Sequence, residues 1–399
     1  MRIGAEEEFH VLDVESGRLV PRADALLGRL GTTGATSGFT HEMQPSVVES
    51  NSRVHDTLDE LFRDLTGTRR LLDAAASSLG LAVVAAGTVP LAHVSPGEVT
   101  PDPRYRRMAD DYRRVADEQL ICSAQIHVDI PDRDTAVRAM CLVSPWLPPL
   151  LALSASSPFW LGSDTGYASW RTVQWQRWPT AGPVGCYRSA ADYDAAVAEL
   201  IASGVVSDPG MIYYDVRPCA HQRTLELRIC DACPRPETVA LIAGLFRALV
   251  RDACDRLGRE PAPRCDGHHE WLRAATWRAA RSGLEGPLVD PATRRAAPAP
   301  VVLRRMLNRL RPSLEASGDW HTVRELLDAA LHTGSAAHRL RRVAQQGDLL
   351  AGVDLLVSET RGARPREHPP RRHRTSPNPP HSYVGGERPH GRTAPSGSA

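Results

Sequence analysis

The fold of this chain is decided by the stretch IGAEEEFHVL at residues 3–12, which predicts a β-strand. Side chains alternate between the two faces of a strand, so Glu6 and Glu8 share one face with Gly4. The other face is mostly apolar and carries Ile3, Ala5, Glu7 and Phe9. The stretch therefore predicts a strand with one face for the core and one face that presents two carboxylates.

Three later stretches repeat this division. Their charged faces carry Gln125, His127 and Asp129 in residues 122–130, Tyr213, Asp215 and Arg217 in residues 211–217, and Thr224, Glu226 and Arg228 in residues 224–230. An antiparallel sheet with one face in water shows the same alternation. If the charged faces converge instead, their carboxylates repel one another by about 4 kcal/mol per pair at about 4 Å and an effective dielectric near 20. A divalent metal is the simplest neutraliser, and carboxylates with one imidazole suit Mg²⁺ or Mn²⁺ bound with a nucleoside triphosphate.

The rest of the chain alternates further strands with amphipathic helices. Strands are predicted near residues 40–50 and 81–87, and helices near residues 56–80, 105–119, 133–144, 146–155, 190–203, 236–257 and from residue 300 to about 357. This order has neither the regular alternation of a Rossmann fold nor a run of strands alone. It predicts an α+β fold, in which helices cover one side of an antiparallel or mixed sheet.

Composition restricts the chemistry. The chain has 399 residues, and its 48 basic side chains are all arginines because no lysine occurs. Schiff-base formation, a P-loop lysine and a kinase-type lysine are thereby excluded. A GC-rich genome accounts for the missing lysine without selection for function. Any cationic contact to a phosphate or carboxylate must still come from arginine, which is planar and permanently charged.

The charge is unevenly distributed. Residues 361–399 carry eight arginines against two acids, a net charge of +6, which leaves −5 on residues 1–360. The same segment is rich in proline and poor in apolar residues, so it is predicted to be a disordered tail. A mildly acidic folded part argues against a specific nucleic-acid binder, and weak contact of the tail with polyanions is the alternative.

Eight cysteines at irregular spacing, without a signal-peptide pattern, favour reduced thiols and a cytoplasmic location. The single CxxC at Cys230–Cys233 has no second pair, so zinc or redox use is not favoured. No run of 18 apolar residues occurs, and we expect no membrane-spanning helix.

The charged strands belong to a longer series of motifs in a fixed order. These motifs are IGAEEEF (3–9), EMQPSVVE (42–49), AGTVP (86–90), RY (104–105), CSAQIHV (122–128), LLALSASSPFW (150–160), DTG (164–166), DVRP (215–218) and TLELR (224–228). Together they resemble the glutamate–cysteine ligase type 2 (carboxylate–amine ligase) family, a branch of the glutamine synthetase-like superfamily. The similarity covers roughly residues 1–257 and, more loosely, extends to about residue 357.

The resemblance implies an ATP-dependent ligase that activates the side-chain carboxyl of glutamate as an acyl phosphate, which cysteine or another amine then attacks to give an amide. It also implies a curved antiparallel sheet that lines a funnel, with helices on the outer face. We expect residues 1–257 to form the catalytic core, residues 258–360 a helical part packed on it, and residues 361–399 the tail. The expected partners are small-molecule substrates, with no membrane, and a homodimer is left open.

The resemblance assigns roles to residues of the charged strands. Ligands for Mg²⁺, with Mn²⁺ as an alternative, are expected at Glu6, Glu8, Glu49, His127 and Glu226, with Glu42 as a further candidate. Contacts to ATP are expected from His127, Gln125 and Arg228, and catalytic roles from Arg228, Arg217 and Glu49. Asp215 is expected to orient Arg217, and either Glu42 or Glu49 is the candidate base for the incoming amine.

Two features depart from the family pattern. Many relatives carry His-x-His where this chain has Gln125-Ile126-His127. Glu42 and Glu49 differ in parity, so both face the funnel only if a bulge near Pro45 interrupts the strand. The tryptophans between residues 160 and 178 either line an amine pocket or pack beneath a long loop.

Two other functions compete with the ligase. One is a protein of the same fold that binds Mg-ATP or an amino acid without catalysis, although the full set of carboxylates and arginines argues against it. The other is a phosphotransferase that phosphorylates its acceptor and makes no amide.

Overall fold

An antiparallel sheet of seven strands forms the centre of the molecule, and the long strand β1 lies in its middle. The computed structural model describes residues 1–32, 38–259 and 270–362, all of which belong to one compact unit. The strands are β1 Ile3–Asp13, β2 Phe39–His41, β3 Val47–Asn51, β4 Leu81–Val84, β5 Ala124–Asp129, β6 Phe159–Trp160, β7 Ser163–Asp164, β8 Val216–Pro218, β9 Thr224–Leu227, β10 Pro287–Asp290 and β11 Arg295–Pro298. The order across the sheet is β2-β3-β1-β5-β9-β8, and β4 pairs with the second half of β1.

The described residues also form helices, several of which pack on the apolar face of this sheet. The helices are α1 Ala23–Thr32, α2 Leu58–Ser77, α3 Pro103–Tyr112, α4 Arg114–Asp117, α5 Arg133–Val143, α6 Leu147–Ser154, α7 Trp170–Trp175, α8 Ala190–Ala202, α9 Pro236–Arg259, α10 Glu270–Ser282, α11 Ala299–Ala316, α12 Trp320–Thr333, α13 Ala336–Gln346 and α14 Leu349–Thr360. The long helix α9 is largely buried and packs against β5, α2, α5 and α11. The predicted α+β class is therefore confirmed.

The alternation predicted for β1 is present, and its core face includes one buried charged residue, Glu7. Gly4, Glu6 and Glu8 are partly exposed, whereas Glu7 is buried. Arg69 of α2 donates through Nε to Glu7 at 3.2 Å, and its terminal nitrogens also bind Glu7 and the carbonyls of Cys233 and Pro234. A buried carboxylate is tolerated here because a buried guanidinium neutralises it and uses its remaining donors on the main chain.

Three segments differ from the predicted elements. The strand predicted at residues 40–50 is two strands, β2 and β3, joined by a turn that contains Pro45, which has no N–H for a sheet. Of the stretch predicted at 211–217, only residues 216 and 217 belong to a described strand, β8, because a 3₁₀ turn at Pro209–Met211 begins the segment, and Tyr214 makes only an isolated bridge with Gly182. The part predicted as helical after residue 257 also contains the hairpin of β10 and β11.

One apolar stretch passes the criteria of length and composition for a membrane span, contrary to the sequence-based expectation. It is Arg133–Ser154, which contains α5 and α6, and 78% of its most apolar window is buried inside the protein. Such burial is that of a core helix, since these residues pack against α9, α10 and the sheet.

The expectation of reduced cysteines is wrong for one pair. Cys141 of α5 and Cys186 form a disulfide with a Cα–Cα distance of 5.1 Å. They lie 45 residues apart, and only the folded chain brings them together. Cys230 and Cys233 of the CxxC motif are buried free thiols. The predicted tail lies outside the described residues except for Arg361 and Gly362.

Candidate active site

The charged face of the sheet brings together most of the predicted site residues, because neighbouring strands are paired in a register that aligns them. The cross-strand pairs on this face are Glu6 with Gln125, Glu8 with Glu49, His127 with Glu226, and Glu226 with Arg217. Residues directly opposite in an antiparallel pair project from the same face. The side chains fall into two groups, each small enough to hold one metal ion.

The first group, here called the arginine-paired cluster, consists of Glu6, His127 and Glu226. One ligand atom from each residue lies within 4.8 Å of the other two. His127 Nε2 is 3.0 Å from Glu6 Oε1, and His127 Nδ1 is 3.1 Å from the hydroxyl of Thr224. Burial lowers the pKa of His127, but contacts with Cys219 and Glu6 and the charge of Glu226 outweigh it and raise the pKa to about 10.

Two arginines hold the carboxylate of Glu226. Arg217 Nε donates to Glu226 Oε2 at 2.8 Å, and its Nη2 donates to Oε1 at 3.3 Å. Arg228 donates to Glu226 Oε1 from its Nη1. Although burial raises the pKa of Glu226, the two guanidiniums and His127 lower it to about 2. This carboxylate therefore stays ionised at neutral pH.

The second group, here called the carboxylate trio, consists of Glu8, Glu42 and Glu49, whose ligand atoms also lie within 4.8 Å of one another. Neutral groups donate to these carboxylates. Ser123 donates to Glu8 from its main-chain nitrogen at 2.6 Å and from its hydroxyl at 2.8 Å, and the Asn51 amide donates to Glu49 at 2.9 Å. The trio is thus shaped by hydrogen bonds that do not cancel its charge.

The pKa values of all three carboxylates are raised. Burial is the largest cause at Glu8, and Arg171 opposes it. Burial and the charges of Glu8 and Glu49 raise the pKa of Glu42 well above its usual value. Burial and the charges of Glu6 and Glu8 raise the pKa of Glu49 to about 7. The trio holds an excess of negative charge that a cation would offset.

Gln125 joins the two groups. Its amide oxygen accepts a hydrogen bond from Arg228, and its Nε2 donates to Glu8 Oε1 at 3.3 Å. In this arrangement the amide binds a cation through its oxygen and an anion through its nitrogen. The departure from His-x-His therefore places a bridging amide between the clusters.

Both groups fit a divalent cation by their donor chemistry. Carboxylate oxygens with at most one imidazole are the ligands that Mg²⁺ and Mn²⁺ take in proteins. The raised pKa values of the trio show that its carboxylates are close enough to repel one another, and a cation among them reverses this repulsion.

A cavity of about 240 Å³ opens beside these groups. The trio, Glu6, Gln125, Arg217 and Arg228 line it, together with side chains from outside the charged strands: Arg104, Tyr105, Met108, Arg171, Trp175, Trp178 and Tyr213. Of the tryptophans weighed in the sequence, Trp175 and Trp178 line the cavity, whereas Trp160 and Trp170 are not among its lining residues. That Trp175 and Trp178 line a pocket for the amine stays a prediction.

The parity difference between Glu42 and Glu49 has a simple resolution. Glu42 lies in the turn between β2 and β3 and not on a bulged strand. Its own main-chain neighbour, the N–H of Met43, donates to its carboxylate at 3.1 Å, and the Thr100 hydroxyl binds its carbonyl at 2.6 Å. The turn therefore directs Glu42 to the same site as Glu49.

The role expected for Asp215 is wrong. Asp215 is buried, and no hydrogen bond between its carboxylate and Arg217 occurs among the described residues. Arg217 is oriented instead by Glu226 and by the carbonyls of Gly210 and Ile212, at 3.1 and 2.7 Å. Burial raises the pKa of Asp215 to about 7, and the opposing charge is that of Arg171.

Sequence reasoning did not assign roles to several cavity residues. Ser123 belongs to the CSAQIHV motif and lies two residues before Gln125, so the alternation along the strand places it on the same face. Arg104 and Tyr105 form the RY motif and reach the cavity from α3. Arg171 had no usable signal, because it lies on a short helix that is far in sequence from the charged strands.

Comparison with a family model places the chain among known proteins. The model described as glutamate–cysteine ligase family 2 matches residues 2–355. A relative from Frankia casuarinae, provisionally named glutamate–cysteine ligase 2-2, is 53% identical over 367 residues, which cover 91% of this chain and 42% of that protein. A Mycolicibacterium smegmatis protein with the same provisional name is 51% identical over 360 residues, which cover 90% of this chain and 89% of that protein. The chain thus spans less than half the length of the Frankia relative and most of the Mycolicibacterium one.

Solved structures show the same fold at low sequence identity. A bifunctional glutathione synthetase from Pasteurella multocida superposes with a TM-score of 0.66 at 16% identity, over 90% of this chain and 52% of that one. A glutamate–cysteine ligase from Francisella tularensis, solved in complex with AMP, gives a TM-score of 0.64 at 12% identity, over 90% of this chain and 89% of that one. The motifs, the fold and the family model agree, and the chain belongs to glutamate–cysteine ligase family 2.

Proposed function

We propose that this chain is an ATP-dependent carboxylate–amine ligase that joins the side-chain carboxyl of glutamate to cysteine or another amine. The observation that carries the proposal is that Glu6, the carboxylate trio, Arg217 and Arg228 line one cavity. His127 and Glu226 contact these lining residues, His127 at Glu6 and Glu226 at the two arginines. Glu6, His127 and Glu226 would hold one Mg²⁺ and Glu8, Glu42 and Glu49 a second, with Mn²⁺ as an alternative. Bound there, the cations would neutralise the charge of the ATP phosphates.

In the first step, an oxygen of the glutamate γ-carboxylate attacks the γ-phosphorus of ATP, and ADP leaves. The transferring phosphoryl group carries charge on its equatorial oxygens, so catalysis consists mostly of positioning and charge neutralisation. Arg228 supplies a fixed guanidinium for the transferring phosphoryl group. Arg217 holds Glu226 between the two arginines. His127 and Gln125 complete the contacts to the nucleotide side of the cavity.

In the second step, the nitrogen of the amine attacks the acyl carbon, phosphate leaves, and the nitrogen loses a proton. A base in the cavity has to accept that proton. Glu49 is the candidate base because it lines the cavity and because, without a bound cation, burial and the charges of Glu6 and Glu8 raise its pKa to about 7, close to the pH at which a general base works best. Glu42 is the alternative base from the same trio.

The test uses purified protein with Mg²⁺, ATP, glutamate and a mixed pool of amines that includes cysteine. We expect ADP and phosphate to form only when a suitable amine is present, with a γ-glutamyl amide detected by mass spectrometry. Binding of Mg-ATP without any ADP formed would favour the non-catalytic alternative. A stable phosphorylated product without amide would favour the phosphotransferase.

The related proteins support a ligase but not a particular acceptor. Their provisional names specify cysteine, whereas no thiol-recognising group is evident in this cavity among the described residues. We further propose a cytoplasmic enzyme whose partners are small molecules, with residues 1–257 as the catalytic core and residues 258–360 packed on it.

A further inference from the structure

Arg171 lines the candidate cavity although it belongs to neither cluster. It lies on the short helix α7, and only 3% of its surface is exposed. Unlike Arg217 and Arg228, it has no carboxylate at salt-bridge distance within the described part of the chain. A buried guanidinium without a carboxylate partner is costly unless its N–H groups are used elsewhere.

The terminal nitrogens of Arg171 bind the main chain at the end of β9. Nη1 donates to the carbonyl of Ile229 at 3.1 Å, and Nη2 donates to the carbonyl of Arg228 at 3.2 Å. On the other side, the N–H of Arg228 donates to the carbonyl of Asp215 at 2.9 Å. The main chain of Arg228 is therefore fixed through both its N–H and its carbonyl.

Aromatic rings connect the two arginines as well. The guanidinium carbon of Arg171 lies 5.6 Å from the ring centroid of Trp175, and that of Arg228 lies 5.9 Å from the ring centroid of Tyr213. The rings of Trp175 and Tyr213 contact each other with centroids 4.6 Å apart. Two cation–π contacts thus share one aromatic pair.

The helix that carries Arg171 is itself anchored by Asp231, the residue inside the CxxC motif. The hydroxyls of Ser157 and Ser169 donate to the two oxygens of Asp231, each at 2.7 Å, and the N–H of Arg171 donates to the Ser157 hydroxyl at 3.0 Å. Gly87 lies against the same carboxylate, and a Cβ there would come within 2.6 Å of Asp231 Oδ2. The motif therefore serves the site through its aspartate and not through its thiols.

We propose that Arg171 is a positioning residue for phosphoryl transfer, which fixes the main chain of Arg228 so that the Arg228 guanidinium meets both Glu226 and Gln125. This inference rests on the proposed ligase function, because it needs a phosphoryl group for Arg228 to contact. It assigns Arg171 an effect on the transition state and not on the binding of substrates.

The first test is Arg171→Lys, compared with Arg247→Lys. Lysine keeps the charge, but one ammonium cannot reproduce the two parallel N–H contacts of the guanidinium. Arg247 is equally buried, at 2% exposed, and pairs with Asp319 away from the cavity lining. We expect Arg171→Lys to lower kcat by about 10²-fold, the order of loss that a misplaced catalytic group causes, with KM for ATP and glutamate changed less than about threefold. Arg247→Lys lowers Tm and leaves kcat unchanged.

A second pair of variants tests the aromatic contact without touching Arg171. Trp175→Phe keeps a ring face beneath the guanidinium, whereas Trp175→Leu removes it. We expect a lower kcat for Trp175→Leu than for Trp175→Phe. Equal kcat values for the two Trp175 variants and the parent would overturn the positioning role. So would a higher KM for glutamate with normal kcat in Arg171→Lys, because it would show that Arg171 binds substrate.

Binding of ADP with aluminium fluoride separates this inference from the ligase proposal. This complex imitates the transferring phosphoryl group, so its affinity reports on Arg228 even if no amine is ever turned over. We expect Arg171→Lys to bind ADP normally and to lose affinity for ADP with aluminium fluoride. If the parent protein forms no amide and Arg171→Lys still loses affinity for ADP with aluminium fluoride, the proposed acceptor chemistry is wrong and the positioning role stands. Equal affinities of parent and variant would refute the positioning role.

Discussion

The arginine-paired cluster and the carboxylate trio lie on the same sheet face, yet their charges are balanced in different ways. In the first, Arg228, Arg217 and His127 surround Glu226 and, against the effect of burial, lower its pKa to about 2. In the second, neutral donors hold the carboxylates, and the pKa of Glu49 is raised to about 7. Protein groups alone stabilise the charges of the cluster, whereas the trio needs a cation from outside.

This difference in charge balance predicts that the two groups respond differently to metal ions and to pH. A cluster that is already neutralised keeps its geometry whether or not an ion is bound. A trio with excess charge gains more from an ion and is more sensitive to pH and to the metal supplied. Variants that remove charge from one group or the other should therefore have different effects on turnover, metal affinity and stability.

The largest effect is expected for Glu226→Gln. The substitution removes a proposed metal ligand and leaves two buried guanidiniums without their shared carboxylate, so turnover should fall by about 10³-fold, as when a preorganised electrostatic group is lost. Steady-state ADP release measures the loss, and thermal unfolding measures the accompanying destabilisation.

Glu359→Gln is the matched control for this variant. Glu359 is also 2% exposed and also pairs with two arginines, Arg235 and Arg339, outside the cavity lining. We expect a similar loss of Tm with unchanged turnover. Normal turnover in Glu226→Gln would show that the cluster is not part of the chemistry.

A smaller effect is expected for Glu42→Gln, which should lower the affinity for Mg²⁺ but raise the Tm of the metal-free protein. With Mg²⁺ present, the apparent Mg²⁺ affinity should fall by about 10- to 100-fold, the range seen when metal sites lose supporting groups. With EDTA, Tm should rise because one of three repelling charges is gone. Glu98→Gln, at an exposed position, should change neither value. A lower Tm in EDTA would contradict the charge excess assigned to the trio.

Loss of Gln125, which joins the arginine-paired cluster to the carboxylate trio, should lower turnover less than loss of a residue from either group. Gln125→Ala removes the amide that binds both Arg228 and Glu8, while all carboxylates and arginines remain. We expect turnover to fall about tenfold, within the range of a lost hydrogen bond to a charged group, with Mg²⁺ affinity nearly unchanged. The exposed Gln345→Ala serves as a control. A loss as large as that of Glu226→Gln, together with a lower Mg²⁺ affinity, would mean that Gln125 itself is a metal ligand.

The smallest effect is a change of stability with pH in the metal-free protein. Glu49 has a higher pKa in the folded than in the unfolded chain, so the folded state binds more protons between about pH 4.5 and 7. The free energy of unfolding in EDTA should fall as pH rises through this window, and Glu226, with its lowered pKa, should contribute only below it. We expect Tm to drop by a few degrees from pH 5 to 8 in EDTA, and to drop less in Glu49→Gln or with Mg²⁺. A Tm that rises over this range would refute the prediction.

Alternation along strands was enough to predict part of the site. Glu6, Glu8, Gln125, His127 and Glu226 were placed on one face because the period of two needs no knowledge of tertiary contacts. The α+β class followed from the order of elements for the same reason. Where side chains project from regular strands, local sequence contains the necessary information.

Parity fails where the backbone leaves the strand. Asp215 shares parity with Arg217, but it precedes the three paired residues of β8 and turns into the interior. Glu42 has the wrong parity and still reaches the trio, because it lies in a turn. Arg171 and the disulfide of Cys141 and Cys186 depend on contacts between distant segments, and no local pattern predicts these.

The pairing of β1 with β5, and of β5 with β9, also has a consequence for how the protein is made. At about 5 to 20 residues per second, a ribosome needs roughly 10 to 45 seconds to pass from Glu6 to Glu226. During that interval β1 has emerged, but the strands and arginines that complete the arginine-paired cluster have not. Contacts between segments so far apart in sequence form slowly, and the nascent chain has to keep an acidic strand edge from pairing elsewhere until they arrive. The repulsion among the glutamates of β1 helps with this, because like charges disfavour pairing of one nascent β1 strand with another.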